Sequence, residues 1–296
     1  LSDPIFEVGL TPNRGDCASV LGIARELAVI GLGTLINKNV KNIKGTYKSP
    51  IKWEINLNHE NKQACSYIKG RHFRGVKNVE SPEWLKKSLV SIGLKPISSL
   101  VDITNFITFD LGRPLHVFDA SKIKGNLNIR MANQEEKLLA LDEKNYDLTK
   151  SILVISDKNK PVSIAGVMGG EESSCTKNTT EIFIESAYFA PQNVATSGRS
   201  LNILSDARYR FERGIDPNYV NKGIDLMTQL VLEICGGEVS EEEEAGKIEL
   251  TKKIITFDYD KVLHIGGVVI NKTRQKDILL KLGFKVEEKK DKLLLS

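Results

Sequence analysis

Between Asn126 and Phe189 the apolar residues come in short runs: Leu127–Met131, Ile152–Ile155, Val162–Ala165 and Glu181–Ala187, each bounded by polar turn residues. Runs this short have the length of strands and cannot supply the long apolar stripe of a helix. Trp53-Glu54-Ile55-Asn56-Leu57 alternates like a further strand. Helical spacing takes over on either side. Ser81-Pro82-Glu83-Trp84 carries a helix start, with Ser as cap, Pro at the first helical position and an acid in the first turn, and Gly93 ends the helix. Ser98 or Ser99 caps a second helix through Leu111, closed by Gly112. Asn193–Ser200 and Asp206–Arg213 read as short helices. Pro217 to Cys235 reads as a longer one, with Val220, Ile224, Leu226, Met227 and Leu230 on its apolar side. Residues 1–16 read as a strand and turn, with Asp16 capping a helix that carries Val20, Ala24, Leu27 and Ala28 and stops at Gly31. Blocks of strands beside blocks of helices predict an α+β fold.

The 296 residues correspond to about two domains at ~150 residues each. Lys38 to Pro50, rich in lysine, and the acidic block Glu241 to Glu244 read as solvated linkers. Beyond the second, Ile254–Phe257, Tyr259–Ile265, Lys272–Leu282, Phe284–Val286 and Leu293–Leu295 read as a small α+β module of strands and helices. A start at Leu1 without a basic-then-apolar leader reads as a piece of something longer rather than a secreted precursor. No apolar run approaches ~18 residues, which excludes a helical membrane span. A net charge of +4 permits nucleic-acid contact without requiring it. Cys17, Cys65, Cys175 and Cys235 lie far apart without a C-x-x-C, so no zinc or thioredoxin-type site is expected, and a reduced cytoplasmic setting fits. Walker-A, G-x-G-x-x-G, H-E-x-x-H and G-x-S-x-G patterns are absent. Ala165-Gly166-Val167-Met168-Gly169-Gly170 is either a turn or a place where backbone approaches a ligand closely. With four histidines and no nucleophile–base pairing, covalent catalysis finds no support.

Several stretches are more specific. Thr11-Pro12-Asn13-Arg14-Gly15-Asp16-Cys17 and Gly22-Ile23-Ala24-Arg25-Glu26-Leu27 resemble the segment preceding the central domain of the β subunit of bacterial phenylalanyl-tRNA synthetase. Ser81-Pro82-Glu83-Trp84-Leu85, Val101-Asp102-Ile103-Thr104-Asn105 and Gly112-Arg113-Pro114-Leu115-His116-Val117-Phe118-Asp119 resemble motifs of that domain. So do Ala165–Gly170, Glu185-Ser186-Ala187-Tyr188-Phe189 and Arg210-Phe211-Glu212-Arg213-Gly214-Ile215-Asp216-Pro217, in family order over nearly the whole chain. The resemblance implies a mixed β-sheet B3/B4 editing module followed by a small α+β, DNA-binding-like B5 domain. Residues 1–39 would be the end of a preceding domain and a connecting helix, 40–240 the editing domain, and 245–296 a C-terminally incomplete B5 domain.

It also implies a task. A ligase for phenylalanine meets tyrosine, the same ring with one hydroxyl added. A hydrophobic pocket rejects that addition only by ~10², so a second site must hydrolyse the wrong ester. If that site hydrogen-bonds the hydroxyl, a phenylalanyl ester leaves buried polar groups unpaired, and ~10⁴ or more becomes attainable. By residue type alone, Glu185 is either a strand-end acid facing water or the carboxylate of a pocket; the resemblance implies the pocket. Gly170 would give close backbone approach to the aminoacyl group. Ala207 resembles a small pocket residue whose enlargement blocks tyrosine. Ser205 stands where the family usually has Thr, keeping the hydroxyl and losing a methyl. His116 resembles the editing-site histidine, or else caps the turn after Pro114, and Thr104 and Asn105 would hold the ester, ribose or water. No acyl-enzyme is expected; His116 and Asn105 would orient a water. Arg208 and Arg210, alternating with Tyr209 and Phe211, are candidate tRNA contacts, while Arg213 and Asp216 would pair to shape a turn.

No metal or cofactor is implied for this stretch; ATP and Mg²⁺ belong to the full enzyme. The implied partners are the acceptor end of tRNA(Phe) and an α subunit, in a cytoplasmic heterotetramer of two α and two β subunits. Two rival readings remain: a nucleic-acid-binding protein using Lys272-Thr273-Arg274-Gln275-Lys276, and a purely structural module without hydrolytic activity.

Overall fold

The strand expected at Glu181–Ala187 alternates large apolar groups on both of its faces, so it has to be covered twice. In a computed structural model, which describes residues 4–36, 39–248, 253–289 and 292–296, that is its position. The chain divides into two units, Leu1–Val20 with Lys38–Ile248, and Leu21–Asn37 with Glu249–Ser296. In chain order, α1 (Val20–Ile30), β1 (Trp53–Ile55), β2 (Cys65–Arg74), α2 (Glu83–Val90), α3 (Ser99–Leu111), β3 (His116–Asp119) and β4 (Leu127–Met131) come first. Then follow β5 (Lys137–Leu139), β6 (Asn145–Asp147), β7 (Leu153–Ser156), β8 (Pro161–Ile164), β9 (Met168–Gly169), β10 (Glu181–Phe189), α4 (Pro191–Ser200) and α5 (Asp206–Phe211). The last are α6 (Tyr219–Ile234), β11 (Glu238–Gly246), β12 (Ile255–Asp258), α7 (Asp260–Gly266), α8 (Lys272–Lys281), β13 (Val286–Lys289) and β14 (Lys292–Leu295).

In the larger unit β10 lies inside an antiparallel sheet of order β11-β2-β10-β3. Ile182 and Ile184 share one core with Leu85 and Leu89 of α2, Ile103 and Ile107 of α3, and Ile224, Met227 and Val231 of α6. Phe183, Ala187 and Phe189 share another with Trp53, Ile129, Ile155 and Ile164 of a second sheet, β1-β4-β7-β8-β9. That sheet is antiparallel except for the β1–β4 pair. The result is three layers: sheet, sheet and helices.

The sequence does not mark β2, yet β2 pairs with β10 over nearly its whole length. Its residues, Cys-Ser-Tyr-Ile-Lys-Gly-Arg-His-Phe-Arg, show no alternation because polar groups are buried on it in pairs. Arg71 is 1% exposed and donates through Nε and Nη2 to Ser240 O at 3.0 and 2.8 Å. Glu241–Glu244 is a correction for the same reason. The acids are not a linker but part of β11, paired with β2. Glu242 forms an ion pair with Lys69, and Tyr67 donates to Glu244 at 2.6 Å. Cations on the neighbouring strand turn a solvated run into a paired one.

Helix starts also differ in detail. Ser81 does not cap α2; its hydroxyl donates to Asp102 Oδ2 at 2.6 Å, and Asp102 Oδ1 accepts from Ile97 N, so one acid ties the α2 start to α3. Residues 4–14 form no strand, and Asp16 lies in a 3-10 turn, Gly15–Cys17, before α1 begins at Val20. The stretch 39–50 is partly ordered by β11: Thr46 N donates to Val239 O, and Glu241 N donates to Tyr47 O.

In the smaller unit β12-β14-β13 forms an antiparallel sheet. Its core is Tyr259, Leu293 and Leu295, with Phe257, Leu279, Phe284 and Val286 against them. Among the described residues no helix is long and apolar enough to cross a membrane.

Candidate active site

The register across the central sheet puts His116 of β3 opposite Glu185 of β10, and Glu185 opposite Gly70 of β2. Directly paired residues point to the same face with Cβ atoms ~5 Å apart, so His116 and Glu185 are side-by-side neighbours. Phe118 and Phe183, one alternation further along the same strands, belong to the core between the two sheets. His116 and Glu185 therefore face the second sheet, not the helices.

Three close approaches shape this position. A Cβ at Gly169 would lie 2.3 Å from Cε1 and 2.8 Å from Nε2 of His116, so glycine lets β9 press on the imidazole. The ring also packs edge-on to Phe118, with centroids 4.4 Å apart. On the other side, a Cβ at Gly70 would lie 2.4 Å from Nε1 of Trp53, so the indole fills the room that a side chain opposite Glu185 would occupy.

The electrostatics follow from burial. Glu185 is 5% exposed, and burial raises its carboxyl from 4.5 to about 7 against the opposing pull of Arg113. Burial alone lowers His116 from 6.5 to about 4. Near neutral pH the imidazole is neutral, with one ring nitrogen free to accept. Nε2 of His116, Nε1 of Trp53, and Nε and Nη1 of Arg113 are all buried without a hydrogen-bond partner among the described residues. Nothing described hydrogen-bonds the Glu185 carboxylate either. Folded proteins pair nearly all their buried polar atoms, so unpaired donors and acceptors near one carboxylate make this position the candidate site. The arrangement can grip a polar group on an otherwise apolar ligand and orient a water beside it.

Other residues singled out from sequence fall into three groups. Gly170 and Ala207 border the same inter-sheet core. A Cβ at Gly170 would lie 2.7 Å from Val162 O, and Ala207 packs on that core. Ser205 is nearby but engaged: its hydroxyl caps α5 by accepting from Arg208 N at 3.1 Å and donates to Val167 O at 2.6 Å. Thr104 and Asn105 sit on α3, whose Ile103 and Ile107 pack in the helix-side core. Thr104 Oγ1 donates to Val101 O, and no hydrogen bond joins either residue to His116 or Glu185 among the described residues. Half-buried Asn105 keeps its side-chain amide without a described partner.

Arg208 and Arg210 need correction as surface contacts for tRNA. They are 8% and 5% exposed. Arg208 binds Glu212 and Ile203 O, while Arg210 binds Ala18 O and Asp206 and lies over the Phe109 ring. Both are structural cations. Arg213 pairs with Glu212 and donates to Tyr209 O, not with Asp216, which caps Asn218 instead. The basic run on α8 is also matched by acids, Arg274 with Asp277 and Lys276 with Glu288. Sequence reasoning missed Arg113, Trp53, Gly70 and Gly169 as site residues. Arg113 and Gly169 lie within the motifs and Trp53 within an expected strand, while nothing in the sequence singled out Gly70.

A model of the B3/4 domain matches residues 64–236, which include every one of these positions except Trp53. The β subunit of phenylalanine–tRNA ligase from Mesorhizobium japonicum is 50% identical over 96% of this chain, and that from Paramagnetospirillum magneticum is 48% identical over 99%. The chain spans 35% and 37% of those relatives. An N-terminal fragment of the phenylalanyl-tRNA synthetase β subunit from Pyrococcus horikoshii is 18% identical, with a TM-score of 0.44 over 96% of this chain and 78% of that one. With a family model matching more than half of its length, and its likeness to ligase β subunits running almost end to end, the chain belongs to the B3/4 domain family.

Proposed function

We propose that this chain is the editing part of a phenylalanine–tRNA ligase β subunit and hydrolyses tyrosyl esters mistakenly formed on tRNA(Phe). The observation that carries the reading is the His116–Glu185 pair, side by side on a covered face with their polar atoms unengaged. A tyrosyl ring suits the apolar surroundings of Phe118, Phe183 and Trp53, and its hydroxyl suits Glu185. A phenylalanyl ester would leave that carboxylate buried and unpaired, at a cost of about 1–3 kcal/mol or more. Ala207 borders the same core, where a larger side chain would take ligand space.

Neutral His116 orients the hydrolytic water through a ring lone pair. No covalent intermediate enters. In the whole ligase this site would act on the acceptor end of tRNA(Phe), beside an α subunit. ATP and Mg²⁺ would serve aminoacylation elsewhere in that assembly.

Deacylation of tyrosyl-tRNA(Phe) and phenylalanyl-tRNA(Phe) by the complete ligase tests the reading. His116→Ala is expected to lower tyrosyl ester hydrolysis about 10²-fold or more. Glu185→Ala is expected to raise KM for the tyrosyl ester and erase the preference over phenylalanyl. Wild-type rates in both variants would refute the assignment.

A further inference from the structure

Arg113 is 1% exposed, one of the largest fully buried side chains in the molecule. It follows the Gly112 turn that ends α3 and leads into β3. Each part of it is held. A Cβ at Gly223 of α6 would lie 2.9 Å from its Cγ, so the stem runs tightly against that helix. β3 pairs with β10 only from Ile182 to Glu185, and just past that point Nη2 of Arg113 donates to the carbonyl of Ala187. The guanidinium lies 5.7 Å from the Phe211 ring centre, on the inter-sheet side.

Ala187 and Glu185 point to the same face, two residues apart on one strand, so about 7 Å separates their Cα atoms. The Ala187 carbonyl holds the guanidinium at the strand edge, its approach to Phe211 of the inter-sheet core turns it toward the face that carries Glu185, and cation and carboxylate attract each other without being hydrogen-bonded. Two guanidinium nitrogens, Nε and Nη1, stay buried and unpaired. A structural arginine in this setting would fork onto the carboxylate. This one stops short of it.

We propose that Arg113 is a specificity-determining residue that reads a phenolic hydroxyl together with Glu185, the hydroxyl donating to the carboxylate and accepting from the guanidinium. This rests on the tyrosyl-ester reading above and adds a second contact to it. A phenol offers one donor and an acceptor oxygen, and the pair satisfies both. A phenylalanyl ring satisfies neither and leaves two opposite charges facing an apolar edge. That is how a site rejects the analogue lacking a hydroxyl far more strongly than a pocket with one hydrogen bond. Arg113 also partly offsets the burial that favours the protonated acid at Glu185.

The test is deacylation of tyrosyl- and phenylalanyl-tRNA(Phe) by the complete ligase as a function of pH, with Arg113→Met and Arg113→Lys. Arg113→Met is expected to lower the tyrosyl-to-phenylalanyl ratio of kcat/KM at least about tenfold. It should also move the pH midpoint of tyrosyl hydrolysis upward, because the charge that favours ionised Glu185 is gone. Arg113→Lys keeps that charge but not the fork; it should hold the midpoint and give an intermediate ratio. A folded Arg113→Met variant, judged by its thermal melt, with the wild-type ratio and midpoint would overturn the proposal. Should Arg113→Met not fold, an unchanged ratio in Arg113→Lys overturns it instead. If wild-type enzyme treats both esters alike, the tyrosyl-ester reading fails and this role with it. If wild type discriminates and the Arg113 variants do so equally well, only the role of Arg113 fails.

Discussion

Glu185 and His116 sit side by side, and burial drives both toward their uncharged forms by opposite changes in proton affinity. Glu185 holds its proton more tightly in the folded protein, at about 7 against 4.5. Its contribution to stability is thus full below about pH 4.5 and is lost as pH rises through 7. His116 holds its proton less tightly when folded, at about 4 against 6.5. Its contribution is full above about pH 6.5 and is lost as pH falls through 4. The two trends offset each other in mildly acidic solution. Glu185→Gln removes only the first. The variant should gain stability on wild type between about pH 5 and pH 8, by an amount on the order of 3 kcal/mol. Urea melts at the two pH values check this; an equal difference at both would contradict it. The same substitution should weaken tyrosyl discrimination, so stability and function pull apart at this residue. Neither residue announces its burial in the sequence. The motifs pointed to both, whereas nothing local distinguishes Arg113 from a surface arginine in a turn.

At the scale of elements, the lesson lies in β2 and β11. Cys65–Arg74 carries Lys, Gly, two Arg and His, and Glu238–Gly246 carries five Glu, so neither looks like a strand of a buried sheet. Each supplies what the other lacks. Lys69 and Arg71 face Glu242 and the Ser240 carbonyl, and a strand that reads as polar becomes buried once its charges are paired. Hydrophobic periodicity cannot detect this, since the pairing is between segments about 170 residues apart. Glu242→Gln should cost about 1–2 kcal/mol, because it leaves partly buried Lys69 without its charged partner. Chemical denaturation measures it, and Lys69→Met in the same background should return much of the loss. No recovery in the double variant would count against a direct pair.

At the scale of the whole molecule, the central sheet of the larger unit carries a core on each face, and β10 belongs to both. Damage to one face should therefore be felt on the other. Ile184, fully buried against the helices, should cost about 2–5 kcal/mol when cut to Ala. Trp53 lies on the opposite face, and in a Trp84→Phe background it is the single tryptophan left to report. Its fluorescence should move to lower urea together with the far-UV signal of the same unit. An unmoved Trp53 midpoint would show that the two cores unfold independently.

The sequence by itself determined the α+β class and most of the strands and helices of the larger unit, and its motifs singled out His116 and Glu185 as candidates. These depend on local spacing and on side-chain chemistry within short segments, which a linear reading retains. The tertiary structure alone decided which residues complete the site. Register put Gly70 opposite Glu185 and His116 beside it; the second sheet brought Gly169 onto the imidazole; and the short reach of β3 opened the strand edge that Arg113 fills. It also turned Arg208 and Arg210 inward, because a half-buried helix presents its cations to whichever carbonyls and acids the fold provides. Burial is a property of the assembled layers, and the proton affinities, unpaired donors and close glycine contacts that make the site chemical exist only once those layers have met.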